Sequence, residues 1–125
     1  MKTKGDLEAE IGHALIRFKK EVLGRGPLSV RVWLLEDVVL VRFAGVLTIS
    51  DQKLAKIGDR RRGRDLVKQT RSELIEDSRA LLDNLIFGFL GVHVTSLHTD
   101  ISTKTGESVM VFTLESKVRN YEANG

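Results

Sequence analysis

Four polar side chains recur at every second position near the C-terminal end of the chain. They are Ser96, His98, Asp100 and Ser102, and we call them the hairpin face. Because side chains alternate between the two faces of a β-strand, this spacing predicts that all four lie together. An imidazole beside a carboxylate could move protons, or bind an anion or a metal ion. A solvated hairpin with cross-strand hydrogen bonds has the same pattern, so both interpretations stay open.

Metal binding and covalent catalysis have little support in the residue types. A catalytic zinc needs three protein ligands, and His13 and His93 lie in surroundings unrelated to those of His98. The chain contains no cysteine. It also lacks a nucleophile elbow, a phosphate-binding P-loop and a dinucleotide fingerprint. We therefore expect no metal, no cofactor and a non-catalytic role.

A run of arginines in the middle of the chain is the second charged feature. Arg60, Arg61, Arg62 and Arg64 supply four cations, whereas the formal net charge of the whole chain is only +3. Such a patch could bind phosphate groups, or it could be a solvated loop between helices. No exposed aromatic run accompanies it, so the platform for base stacking is missing and nucleic acid is a less favoured partner.

Other polar residues extend the candidate surface beyond the hairpin face. The complete set that we expect to bind a ligand or partner is Arg25, Arg64, Lys68, Arg71, Ser96, His98, Asp100, Ser102 and Lys104.

The elements that would position these residues alternate between helices and hairpins. Apolar spacing predicts helices over 6–23 and 65–89, with a short helix over 51–57. Gly24 and Gly91 are expected to end the two main helices, and Gly58 is expected to break the short one. Runs rich in β-branched residues predict strands over 29–35 and 38–43, and again over 92–102 and 107–114. The buried stripe of the long helix is expected at Val67, Thr70, Leu74, Leu81 and Leu85.

This order predicts an α+β fold, helix–hairpin–helix–hairpin, in one domain over residues 1–115 with a polar tail over 116–125. The natural packing is a four-stranded antiparallel sheet with both main helices on one face. The other face would then need a cover, and a second copy of the chain is the simplest one. We therefore expect a homodimer.

Composition also bears on the compartment. The absence of cysteine favours a reducing environment, and no stretch reaches the roughly 20 apolar residues that a bilayer span requires. We expect a cytoplasmic protein.

Several segments resemble the MpsC-like family of bacterial proteins. The most specific one is the stretch over residues 96–107, followed by Val111-Phe112-Thr113-Leu114. Weaker ones are Glu8-Ala9-Glu10-Ile11, Gly24-Arg25-Gly26-Pro27 and the stretch over residues 63–68. Together they run in the family's order from about residue 3 to 114. The family is associated by name with a sodium-linked system that generates membrane potential, and no catalytic residues are established in it.

The resemblance implies a cytosolic accessory or interaction module that serves a sodium- or bicarbonate-linked membrane transport system. Such a module would sit at the membrane only through a transport protein partner. The alternative from the residues themselves is a domain that binds a small anionic ligand or nucleic acid through the basic loop and the hairpin face.

Overall fold

One antiparallel sheet and four helices make up the described part of the chain. The computed structural model describes residues 2–24, 26–56, 60–119 and 121, and of Arg60 only the backbone. The elements are α1 (Lys4–Leu23), β1 (Ser29–Leu35), β2 (Val38–Ala44), α2 (Ile49–Leu54), α3 (Arg60–Asp77), α4 (Arg79–Leu90), β3 (Val94–Ile101) and β4 (Ser108–Leu114). The strand order is β1-β2-β4-β3. The predicted α+β class and four-stranded antiparallel sheet are confirmed.

Helix α1 begins and ends at local signals in the sequence. Thr3 and Asp6 form a capping box, in which each side chain accepts a hydrogen bond from the other residue's backbone N–H. At the other end Gly24 adopts the left-handed conformation that ends helices. The stripe Leu7, Ile11, Leu15 and Phe18 is buried.

Helix α1 packs on the face of the sheet that carries the core, which we call the core face. Its Gly12 lies close to the sheet, because a Cβ built there would be 3.2 Å from Val30. Val39, Val41 and Phe43 of β2 are fully buried on the same face. The remaining core-face residues of the strands include Val32, Leu34, Met110, Phe112 and Ile101.

The prediction of one continuous helix over 65–89 is wrong. The segment forms two helices, α3 and α4, which meet at Ser78. There φ is −100° and ψ is 9°, and the Ser78 N–H donates to the carbonyls of both Leu74 and Ile75. Helix α4 then ends at the predicted Gly91, which is left-handed.

The predicted buried stripe of that segment is also partly wrong. Apolar pairs such as Leu74-Ile75 and Leu81-Leu82 allow two stripes one residue apart. Packing selects the second stripe, so Ile75 and Leu82 are buried whereas Leu81 is 64% exposed. The buried residues are Val67, Ile75, Leu82, Ile86 and Leu90, while Thr70 is exposed and Leu85 is half-buried.

The arginine-rich stretch is not a loop between helices. Arg60, Arg61 and Arg62 form the first turn of α3, because arginine is a good helix former. Gly63 follows them in the helix, where it packs closely against the backbone of Leu54 and Ala55. The residues of the predicted break at Gly58 lie outside the described part of the chain.

Gly63 allows α3 to approach α2 closely, and a side chain there should be costly. A Cβ at this position would overlap the carbonyl oxygen of Leu54 and lie 3.0 Å from the Cα of Ala55. Gly63→Ala should therefore lower the free energy of unfolding by about 1–3 kcal/mol, as overpacking does, although alanine normally stabilises a helix. Urea denaturation followed by circular dichroism measures the change.

Gly88 in α4 is the matched control, because a Cβ there would meet nothing within 4 Å. Gly88→Ala should stabilise the protein by up to about 1 kcal/mol. Equal effects of the two substitutions would contradict the packing argument.

The segment that follows β4 is anchored to the sheet. Val118 is buried in the core, and its N–H donates to the carbonyl of Glu36. Tyr121 packs half-buried against the same core. Part of the predicted polar tail therefore contributes to the hydrophobic core.

Candidate functional site

Strand β3 places three residues of the hairpin face together. Ser96, His98 and Asp100 pair with Thr113, Val111 and Val109 of β4, so they share the face of the sheet opposite the core face, which we call the open face. A register shift between Val94 and Ser96 precedes them, and the alternation is regular from there. The fourth residue, Ser102, follows the end of β3, where its N–H donates to the carbonyl of Glu107.

Asp100 lies at the edge of the sheet and interacts with α3. Its Oδ1 is 3.0 Å from Lys68 Nζ and accepts a hydrogen bond from the N–H of Ile101. The hydrogen bond from Lys68, followed by the one from Ile101, lowers the pKa of Asp100. His98, by contrast, is exposed on the open face, and Ser96 bonds to the Thr113 hydroxyl.

A groove between α3 and the β3–β4 turn brings together part of the predicted set. Arg64, Lys68, Asp100, Ser102 and Lys104 line it. Neither Ser96 nor His98 is among its lining residues. Arg25 lies outside the described residues, and Arg71 lines the adjacent cavity instead.

The adjacent cavity, which we call the cleft, lies between α1, α3 and the core face. Its volume is about 290 Å³. Lys68 and Asp100 lie between the groove and the cleft and line both. The other walls of the cleft are Lys19, Leu23, Gln69, Arg71, Ser72, Ile75, Thr99, Ile101, Ser108, Val109 and Met110.

Lys19 is the least expected residue of the cleft, because it is only 4% exposed. Its ammonium donates to the Ser108 hydroxyl at 3.2 Å and lies 4.2 Å from the centre of the Phe43 ring. Burial, followed by repulsion from Arg71, lowers the pKa of Lys19 to about 8. Ser108, the other polar residue that is buried among those described, lies at the start of β4.

Arg71 is held by a backbone carbonyl and a carboxylate. One of its terminal nitrogens donates to the Val46 carbonyl at 2.7 Å and to the carboxylate of Asp51. Burial alone would raise the pKa of Asp51, but hydrogen bonds from Thr48 and Arg71 lower it. The Nε of Arg71 is buried, and it has no hydrogen-bond partner within the described part of the chain.

Sequence reasoning did not identify Lys19 as a candidate. The signal was present, because position 19 follows Leu15 by four residues and so falls on the apolar stripe of α1. A lysine at such a position usually extends along apolar surface and keeps its charge in water. Only the packing of α1 against the sheet, which brings Lys19 onto Ser108 and Phe43, decides that this charge is buried.

The open face carries a second arrangement. Cross-strand pairing aligns Trp33, Leu40, Val111 and His98 in one row. The first three are half-buried and His98 is exposed.

The neighbouring row of the open face is charged at both edges. It consists of Arg31, Arg42, Val109 and Asp100. Arg31 lies over the Trp33 ring, with its Cζ 5.1 Å from the ring centre.

Neither a metal site nor a membrane-spanning helix is found in the described residues. Residues 2–24, 26–56, 60–119 and 121 contain no group of three or more metal-binding side chains of the His, Cys, Asp and Glu types. No helix among them is both long enough and apolar enough to cross a bilayer.

Comparison with known proteins gives the chain its family. The family model for the sodium-translocating membrane potential-generating system, MpsC, matches residues 3–116. The uncharacterized protein YbcI of Bacillus subtilis is 40% identical over 113 residues, covering 90% of this chain and 89% of YbcI. The uncharacterized protein YrhF of the same organism is 25% identical over 111 residues, covering 87% and 88%. No solved structure matches the chain. The match across nearly the whole domain confirms the resemblance, and the chain belongs to the MpsC family.

Proposed function

We propose that this chain is a non-catalytic accessory module of a sodium-translocating system that generates membrane potential. The observation that carries the proposal is the match of the MpsC family model to residues 3–116, which leaves almost no part of the domain outside it. The module would act from the cytosolic side and reach the membrane through a transport protein partner. The cysteine-free composition agrees with a reducing compartment.

The module would work as a homodimer that closes over the open face. Trp33, Leu40 and Val111 form a continuous apolar row there, and apolar rows of this kind are stabilised by packing against a second sheet. A second copy is the simplest such sheet, because it carries the same row.

The charges of the open face favour a second copy over an unrelated protein. A two-fold axis parallel to the strands would reverse the strand order, so that β1 of one copy would lie over β3 of the other. Arg31 would then lie opposite Asp100 of the second copy, which is a pairing of opposite charges. In the next row Trp33 would meet His98, and Leu40 would meet Val111.

Loss of the two relatives YbcI and YrhF from Bacillus subtilis tests the accessory role directly. A strain without YbcI and YrhF should lose part of its sodium-dependent membrane potential, as reported by a potential-sensitive dye. Expression of this chain should restore the lost part, because it is similar to both proteins across almost 90% of its length.

Replacement of sodium by potassium in the medium is the control, because the deletion should then have no effect. An unchanged potential in sodium medium would overturn the proposal. So would a loss of the same size in potassium medium.

A further inference from the structure

We propose that the cleft is a binding site for a small organic anion, with a carboxylate head at Lys19 and a short apolar body against Leu23, Ile75 and Met110. This inference goes beyond the accessory role and does not depend on it. It rests on the positive charges of Lys19 and Arg71, on their unused hydrogen-bond donors, and on the volume and lining of the cleft.

Lys19 is a buried cation without a neutralising partner. No carboxylate lies within ion-pair distance of its Nζ in the described ranges, and the hydrogen bond to Ser108 uses one of its three donors. A buried charge is normally paired, because desolvation is costly. An anion in the cleft would supply the missing partner and the missing acceptor.

Arg71 adds a second donor beside the same cavity. Its repulsion of Lys19 indicates that the two cations share one electrostatic environment. The ion pair with Asp51 occupies a terminal nitrogen of the guanidinium, whereas the buried Nε has no hydrogen-bond partner among the residues that are described. Two cations with unfilled donors favour a charged oxygen acceptor over a neutral ligand.

Apolar side chains in the walls of the cleft favour an apolar body on the anion, and they lie beside Gln69, Ser72, Thr99 and the ion pair of Lys68 with Asp100. Leu23, Ile75 and Met110 line its walls, and Ile75 and Met110 belong to the hydrophobic core. A volume of about 290 Å³ exceeds what a bare inorganic ion fills. Apolar walls with a few polar groups at one place are typical of sites for small organic ligands.

Isothermal titration calorimetry with acetate, hexanoate, octanoate and inorganic phosphate tests the site at pH 7 and about 0.15 M salt. Hexanoate and octanoate should bind at one site per chain. Affinity should rise about fourfold for each added methylene, as apolar burial predicts, until the cavity is full. Acetate and phosphate should bind at least about tenfold more weakly than octanoate, because neither fills the apolar part.

The charged head is tested separately. Octanamide has nearly the shape of octanoate without its charge and should bind about tenfold to a hundredfold more weakly, which is the range for a hydrogen bond to a charged group. Lys19→Met should weaken octanoate binding by a similar factor. Lys20→Met, at the exposed neighbour, is the matched control and should leave octanoate binding unchanged.

The wild-type protein allows a further check that does not depend on a variant. Raising the pH from 7 to about 9.5 should weaken octanoate binding about tenfold, because Lys19 loses its proton while a guanidinium keeps its charge. The other charged residues that line the cleft are Arg71 and Lys68 on α3 and Asp100 on β3.

Three results would overturn the anion site: no saturable octanoate binding, equal binding of octanoate and octanamide, or phosphate as tight as octanoate. Undiminished binding to Lys19→Met would also overturn it. Because none of these measurements involves the membrane or the dimer, they leave the accessory role untouched.

Discussion

Lys19→Met should raise the free energy of unfolding by about 2 kcal/mol at pH 7. The fall in the pKa of Lys19 from 10.5 to about 8 means that the folded state holds the ammonium at a cost of about 3 kcal/mol. Methionine fills similar space without a charge. Part of the gain is lost because Ser108 loses its hydrogen bond, which costs about 1 kcal/mol.

The stability gained by Lys19→Met should decrease as the pH rises. Lys19 has a lower pKa folded than unfolded, so between about pH 8 and 10.5 the unfolded state binds more protons. The wild-type protein therefore recovers stability in that window as the pH rises. The difference in free energy of unfolding between Lys19→Met and the wild-type protein should be complete below pH 8 and should shrink steadily above it.

Urea denaturation of both proteins at pH 7 and at about pH 9.5 measures this difference. Lys20→Met is the matched control, because Lys20 is the exposed neighbour on the same helix and its removal should change stability by no more than about 0.5 kcal/mol. A loss of stability at pH 7 in Lys19→Met would show that the hydrogen bond and the ring contact outweigh desolvation. The account of Lys19 as an uncompensated charge would then be wrong.

Leu40→Arg should convert a homodimer into a monomer. Leu40 lies in the middle of the open face, where the proposed second copy would bury it against Val111. An unpaired charge in such a place is strongly unfavourable, and central interface positions contribute about 2 kcal/mol or more. We expect the dimer to weaken at least about 30-fold, as measured by sedimentation velocity at micromolar concentration.

Leu81→Arg is the control, because Leu81 is 64% exposed on α4 and away from the open face. It should leave the dimer intact. His98→Ala should keep the fold and weaken the dimer less than Leu40→Arg, since it removes one proposed contact with Trp33 of the second copy and adds no charge. A wild-type protein that sediments as a strict monomer, or a Leu40→Arg protein that stays dimeric, would refute the proposed interface.

Much of the fold could be predicted because its signals are local. The strands over 29–35 and 38–43 were predicted to within one residue of β1 and β2, since β-branched runs and turns are read from neighbouring residues. The glycine ends of α1 and α4 were confirmed for the same reason. The paired positions of Ser96, His98 and Asp100 also follow from alternation along one strand.

The predicted candidate residues were only partly brought together. Arg64, Lys68, Asp100, Ser102 and Lys104 line one groove, because α3 passes beside the edge strand β3. Asp100 and His98 share the open face, but only Asp100 lies at the end of β3 that Lys68 reaches. His98 is two residues farther from the β3–β4 turn and does not line the groove. No pattern within one segment could reveal which elements would become neighbours.

By itself, the sequence determined the element types, the two β-hairpins and the family. Only the tertiary structure decided which of two adjacent stripes on α3 and α4 is buried, and that Lys19 faces a cavity beside Arg71. The physical reason is that periodicity depends on spacing along the chain, whereas burial and electrostatic repulsion depend on residues that are distant in sequence. Lys19 and Ser108 are 89 positions apart, and their contact exists only once α1 packs against the sheet.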